Sequence, residues 1–277
     1  MAAAKKKAPD NDQEISRLRS RKMLTLGVFY GSIAFIPLSC IVCCGAAGLI
    51  PNDTAKAIFG IAGMFSPLIG LGGMILMWSD RSRFARSLDL AQQADEMGMT
   101  FAEKPGKREL KLVRSFQLFR DSSSDAGRNG MTGAYEDASL VVMDYSCAWG
   151  VGGDASVLNQ TAIVFEDFAE GTPDLVVYPK CMLDKLSDAV GLPGQAIKVP
   201  KADKFNKKYG LYAAQAVAAT SLFTPKLTDL CLDEASVVLE VTAGNVLVYW
   251  YETDIPPDEL AERLAIAHKI AEALRRE

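Results

Sequence analysis

VVLEVTAGNVLVYWY, residues 237–251, is two β-branched and aromatic runs joined by a turn. Val237–Thr242 and Val246–Tyr251 flank Ala243-Gly244-Asn245, and Gly-Asn suits a tight reversal, so the segment predicts an antiparallel hairpin. Downstream, Pro256-Pro257-Asp258-Glu259 opens a helix, with proline and acids fitted to a first turn. Leu260, Leu264, Ala267, Ala271 and Leu274 form its apolar stripe. Upstream, Ser139–Cys147 alternates, with Val141, Met143, Tyr145 and Cys147 on one face. Thr161–Glu166, Leu175–Tyr178 and Tyr209–Gln215 read as further strands, and Leu112–Phe119 alternates as well. Asp121–Gly130 reads as a loop, Gly150–Asp154 as a turn, and Pro179–Val190 and Ala216–Phe223 as helical. Strand connections are short and helices cluster after strands. That pattern predicts an α+β domain, a mostly antiparallel sheet with a C-terminal helix, rather than a parallel alternating fold.

Two uncharged apolar stretches precede this domain, Met23–Ile50 and Ala57–Ser79. Each is long enough to cross a bilayer as a helix, which takes about 20 residues. Only Pro51–Lys56 separates them, so they read as a transmembrane hairpin. A cleaved signal peptide has an apolar region of about 7–15 residues, which the first run far exceeds. Lys5, Lys6, Lys7, Arg17, Arg19, Arg21 and Lys22 stand before the first span, and Arg81, Arg83 and Arg86 follow the second. The intervening loop has Lys56 alone. Flanking basic residues mark the cytoplasmic side. Both termini and the domain are therefore expected in the cytoplasm, in a multi-pass protein of the inner membrane. The expected divisions are a disordered basic tail over 1–22, the hairpin over 23–79, a helical neck over 80–99 and the α+β domain over 100–277.

Lipid offers no hydrophobic reward for helix pairing, so small residues that allow close approach mark the contact. Gly27, Gly31, Gly45 and Gly48 share one face of the first span. Gly63, Ser66, Gly70 and Gly73 share one face of the second. These seams suit pairing within the hairpin or self-association. Neither span holds an ionisable group of the kind that marks a conduit, so the hairpin reads as an anchor.

Candidate chemistry is thin. His268 is the sole histidine, beside the last helix's stripe, and with Cys147, Cys181 or Cys231 it is a candidate base for a nucleophile. Asp144 is a lone acid in an apolar strand. Cys147, Cys181 and Cys231 have no paired spacing and read as free thiols in a reducing compartment. Cys40, Cys43 and Cys44 read as packing residues within the first span. Asp121-Ser122-Ser123-Ser124-Asp125 alternates oxygen ligands, but Ala126 and Thr132 stand where a calcium loop needs glycine and a bidentate acid. Gly150-Val151-Gly152-Gly153-Asp154 lacks the Lys-Ser/Thr of a phosphate loop. No metal or cofactor motif is evident. A net charge of −4 and a pI near 5.3 argue against a nucleic-acid partner.

Over about 85–275 the chain resembles a family of uncharacterised bacterial membrane proteins, in which two N-terminal transmembrane helices precede a cytoplasmic α+β domain of unknown function. The matching residues are Ala94 with Gly98-Met99-Thr100-Phe101, Gly133, Asp144-Tyr145, Gln160-Thr161, Pro179, Tyr209 with Leu211 and Ala213, and the closing helix from Pro257 to Leu274. The chain departs from that pattern in its glycine-rich stretch between Asp144-Tyr145 and Gln160-Thr161. The resemblance implies an architecture and no established activity. The expectation is an anchored, non-enzymatic binding or scaffold domain whose partners are the bilayer and a protein or a second copy. A membrane-tethered enzyme using Cys or Asp chemistry, on Asp144, Cys147 or His268, is the alternative.

Overall fold

The computed structural model describes residues 11–24, 26–27, 82–120, 122, 124–149, 156–182 and 194–275. The chain divides into two compact units, Asp12–Asp89 and the remainder, Met1–Asn11 with Leu90–Glu277.

In the larger unit the strands are β1 (Thr100–Ala102), β2 (Ser124–Tyr135), β3 (Ala138–Trp149), β4 (Ser156–Glu166), β5 (Leu175–Pro179), β6 (Gln195–Ile197), β7 (Tyr209–Ala213), β8 (Val237–Thr242) and β9 (Asn245–Trp250). Among the described residues they form one nine-stranded sheet in the order β1-β2-β3-β4-β9-β8-β5-β7-β6. Every neighbouring pair is antiparallel. The β8–β9 hairpin turns on Ala243 and Gly244, both at positive φ (49° and 82°), the backbone of a type I′ turn. The turn is thus one residue shorter than the sequence suggests, and Asn245 begins β9.

Cross-strand neighbours share a face, so the pairing can be read as rows. One row runs Phe101, Met131, Val142, Ile163, Val248, Leu239, Val177, Leu211, Ile197 and is apolar from edge to edge. The C-terminal helix (Leu260–Glu272) covers this face. Its Leu260, Leu264, Ala267 and Ala271 are buried, as is Leu274 just beyond it. Arg263 pins the helix: Nη1 donates to Glu234 Oε2 at 2.7 Å while the guanidinium lies 4.9 Å from the Trp250 ring centre. The Trp250 indole N–H donates to the same carboxylate oxygen at 3.0 Å.

Helices Lys107–Arg114 and Gln117–Arg120 cover the opposite face. The alternation over Leu112–Phe119, read as a strand from sequence, is therefore helical. Over eight residues the apolar spacing satisfies both periods. The sheet settles it, because the face beneath offers a carboxylate that needs free N–H donors, and a helix start has them. The loop expected over Asp121–Gly130 is likewise mostly strand β2, with a bulge between Arg128 and Met131. Its glycines answer to crowding. A Cβ on Gly130 would meet Pro105 Cβ at 3.1 Å, and one on Gly133 would meet Met99 Cα at 3.2 Å. Residues 150–155 and most of Pro179–Val190 lie outside the described residues.

In the unit Asp12–Asp89 the described residues are helical. The expected disordered tail over 1–22 differs from this over 11–22, which belongs to a helix spanning 11–24. Ile15 and Leu18 on that helix are buried, and the Arg21 guanidinium lies 6.0 Å from the Phe84 ring centre. The neck helix expected over 80–99 spans 82–97. Gly98 ends it at φ 72°, with Met99 N–H donating to Ala94 C=O at 2.8 Å, a Schellman-type stop. The expected transmembrane hairpin and its packing residues Gly31, Gly45, Gly48, Gly63, Ser66, Gly70 and Gly73 lie outside the described residues. Gly27 ends the described stretch and has nothing within 4 Å of a Cβ built on it. Among the described residues no helix is long and apolar enough to cross a membrane.

Asn11 is fully buried against the sheet's first edge. Its Oδ1 accepts from Phe101 N–H at 2.8 Å, and its Nδ2 donates to Met99 C=O at 2.7 Å. One carboxamide thus pairs β1 and its approach as a further strand would, and it joins positions 88 apart in sequence. An Asn11→Ala substitution orphans both backbone groups. The expected cost is about 1–3 kcal/mol, read as a lower denaturation midpoint together with faster amide exchange at Phe101.

Candidate functional site

The row beside the apolar one runs Thr132, Val141, Val164, Leu247, Glu240, Val176, Tyr212 and Ala196. An acid stands at its centre. Glu240 is fully buried, and an unpaired buried carboxylate is costly. Here the helix Gln117–Arg120 begins directly over it. Gln117 N–H donates to Glu240 Oε1, Leu118 N–H donates to Oε2 at 3.1 Å, and the Thr242 hydroxyl donates to Oε1 at 2.9 Å. Burial pushes the Glu240 carboxyl up to about 7. The Gln117 and Leu118 N–H groups, the Thr242 hydroxyl and the charge of Arg120 all act to lower it.

A polar cluster surrounds this cap on the same face. Phe119 seats its ring 4.7 Å from Tyr145 and 5.4 Å from Tyr249. The Tyr145 hydroxyl donates to Asp125 Oδ2 at 2.5 Å, and Arg114 clamps the same carboxylate with two N–H donors. Hydrogen bonding to Arg114 holds Asp125 below the usual carboxylate range, against the effect of burial. Burial, then the Asp125 bond, raises the Tyr145 hydroxyl. Gln160 Nε2 donates to Cys147 Sγ at 3.4 Å. Gln160 Oε1 and the Tyr249 hydroxyl are buried without a hydrogen-bond partner among the described residues.

Each residue singled out from sequence has a place. Asp144 accepts from Asn129 Nδ2 at 2.7 Å and from the Thr161 hydroxyl at 3.1 Å. Asn129 sits in the β2 bulge at φ 52°, so Asp144 ties that bulge to β4. Cys147 is buried on the helix-covered face, where burial pushes its thiol up to about 12. Burial also pushes Cys231 up to about 12, and Cys181 is exposed. His268 lies on the other side of the sheet. Its ring is 5.8 Å from Phe165, 5.5 Å from Phe168 and 5.6 Å from Tyr135. Its Nε2 stands 3.3 Å from Asp137 Oδ1, while Arg275 pairs with Oδ2. The sheet separates His268 from Cys147, so these two do not form a nucleophile–base pair. Among the described residues no three of His, Cys, Asp and Glu converge as a metal site.

An open groove of about 440 Å³ lies where the β2–β3 turn meets the helix Lys107–Arg114. Arg108, Glu136, Asp137, Ser139 and Glu166 line it with small residues between. Glu166 organises its wall, holding Arg108 Nη2 at 2.5 Å and the Ser139 hydroxyl at 2.7 Å. Sequence reasoning missed both the groove and Glu240. The groove is made by pairing, which has no local signal. Glu240 was visible as a single acid inside VVLEVT.

No family model and no curated protein matches the chain. Among solved structures the chain is similar to the crystal structure of the mycobacterial trehalose monomycolate transport factor A, TtfA. The two share 11% identity with a TM-score of 0.48, over 68% of this chain and 94% of that one.

Two substitutions test the cluster. With a folded pKa of about 7 against a reference of 4.5, Glu240 holds more protons folded than unfolded between those values. Its contribution to stability therefore falls as pH rises from about 4.5 to about 7. Glu240→Gln abolishes that slope. The denaturation midpoint of Glu240→Gln relative to the parent should rise from pH 5 to pH 8, by the equivalent of about 3 kcal/mol at most. Tyr249→Phe removes an unsatisfied hydroxyl, and its expected effect in chemical denaturation is neutral or stabilising by about 1 kcal/mol.

Proposed function

We propose that this chain is an integral protein of the cytoplasmic membrane whose apolar hairpin, spans 23–50 and 57–79, anchors a cytoplasmic α+β domain for binding or scaffolding. The observation that carries the reading is the Asn11 bridge. The chain leaves the sheet edge at Asn11 and returns to it at Met99 and Phe101. A chain closed in this way crosses a bilayer an even number of times or not at all. The intervening sequence holds two uncharged apolar runs of spanning length, separated by Pro51–Lys56. The basic residues on both outer flanks favour the cytoplasm for the two ends. Met23 and Leu24, where the first run begins, are 70% and 71% exposed at the end of the described helix. Lipid is the natural cover for such residues.

A binding role fits the described chemistry better than a catalytic one. Asp144 is engaged in holding a bulge, burial keeps Cys147 protonated, and His268 is packed in an aromatic box on the far face. The groove walled by Arg108, Ser139 and Glu166 is an open surface on offer to a protein partner.

Thiol labelling in intact cells tests the orientation. A cysteine placed by Asn52→Cys is expected to react with a membrane-impermeant maleimide from outside. The exposed Cys181 is expected to react only after permeabilisation. Labelling of Cys181 in intact cells, with position 52 protected, overturns the reading.

A further inference from the structure

Along 82–97 the described helix carries Arg83 and Arg86 near its first described residues and Asp95 and Glu96 before its stop at Gly98. Along the described helix over 11–24, Asp12 and Glu14 precede Arg17, Arg19, Arg21 and Lys22. Arg21 lies over Phe84 at 6.0 Å. That contact sets the basic stretch of one helix beside the basic stretch of the other. Two cationic stretches brought together repel. Met23 and Leu24 stand exposed at the same end. Clustered cations bordering exposed apolar side chains match the chemistry of an anionic membrane surface.

We propose that Arg17, Arg19 and Lys22 of the first helix and Arg83 of the second form a collar that binds the headgroups of anionic phospholipids. The inference rests on the membrane anchor proposed above. At 1.5 Å per residue, Arg17 lies about 9 Å along the axis from Met23, within about one Debye length at physiological ionic strength. Each of the four is thus close enough to feel the headgroup charge. Arg17 also leans on Glu14 at 3.5 Å, which makes Arg19, Lys22 and Arg83 the informative positions. A cation at such a surface contributes about fivefold in partitioning.

The full chain is reconstituted into nanodiscs holding equal phosphatidylglycerol and phosphatidylcholine, and the lipids retained on it after release are counted by native mass spectrometry. The expected wild-type result is enrichment of phosphatidylglycerol above the input ratio. Arg19→Gln, Lys22→Gln and Arg83→Gln each lower the enrichment, by up to about fivefold, and the triple variant returns to the input ratio. Retention at the input ratio by the wild type, or an unchanged ratio in the triple variant, overturns the collar and leaves the anchor standing. Displacement of the lipid by millimolar inorganic phosphate overturns it too, because a bare anion site is then sufficient. A chain that stays out of the discs overturns the anchor and the collar together.

Discussion

A carboxylate at the centre of a nine-stranded sheet must find donors, and Glu240 sets much of what lies above it. The Gln117 and Leu118 N–H groups are orphan donors at a helix start, and the buried carboxyl is an orphan acceptor. Each satisfies the other, so the position of the short helix over the sheet is specified by hydrogen bonding as well as by apolar contact. Phe119 follows within the same turn and is delivered between Tyr145 and Tyr249. Arg114, one helix earlier, meets Asp125 and through it Tyr145. The layer is pinned at points that an all-apolar interface would leave free to slide.

The sheet's edges are handled by a different device. A bare edge strand is a template for unwanted pairing. At β1 the Asn11 carboxamide occupies a backbone donor and a backbone acceptor. Just past β6, Asn206 does the same for Val199, accepting from its N–H at 2.9 Å and donating to its C=O at 2.7 Å. Asparagine suits the task because one planar group carries both roles of a peptide. At β1 the device also closes the excursion through the apolar segment, so edge protection and the return of the chain are one interaction.

The residues that looked chemical are used structurally. Asp144 was conspicuous as an acid among apolar neighbours, and its partners Asn129 and Thr161 explain it through a bulge that no composition reveals. His268 was read beside the stripe of the last helix, and it lies there at a boundary position, 15% exposed at the side chain, against Phe165, Phe168 and Asp137. Glu240 has the same sequence signature as Asp144. In both cases the pattern marks a polar group that must be satisfied inside the fold and leaves its role open.

The sequence by itself determined the α+β class, the β8–β9 hairpin and the stripe of the final helix. Each of these is local, set by residue period or turn chemistry within a few positions. The extent of β2, the helical state of 107–120 and the opposite placement of Cys147 and His268 were decided by the tertiary structure. Gly130 and Gly133 of β2 make room for Pro105 and Met99, which approach the strand from distant sequence. The short helix exists where Glu240, more than a hundred residues away, accepts its first N–H groups. Such contacts are made only when the sheet closes, and no window of sequence contains both partners.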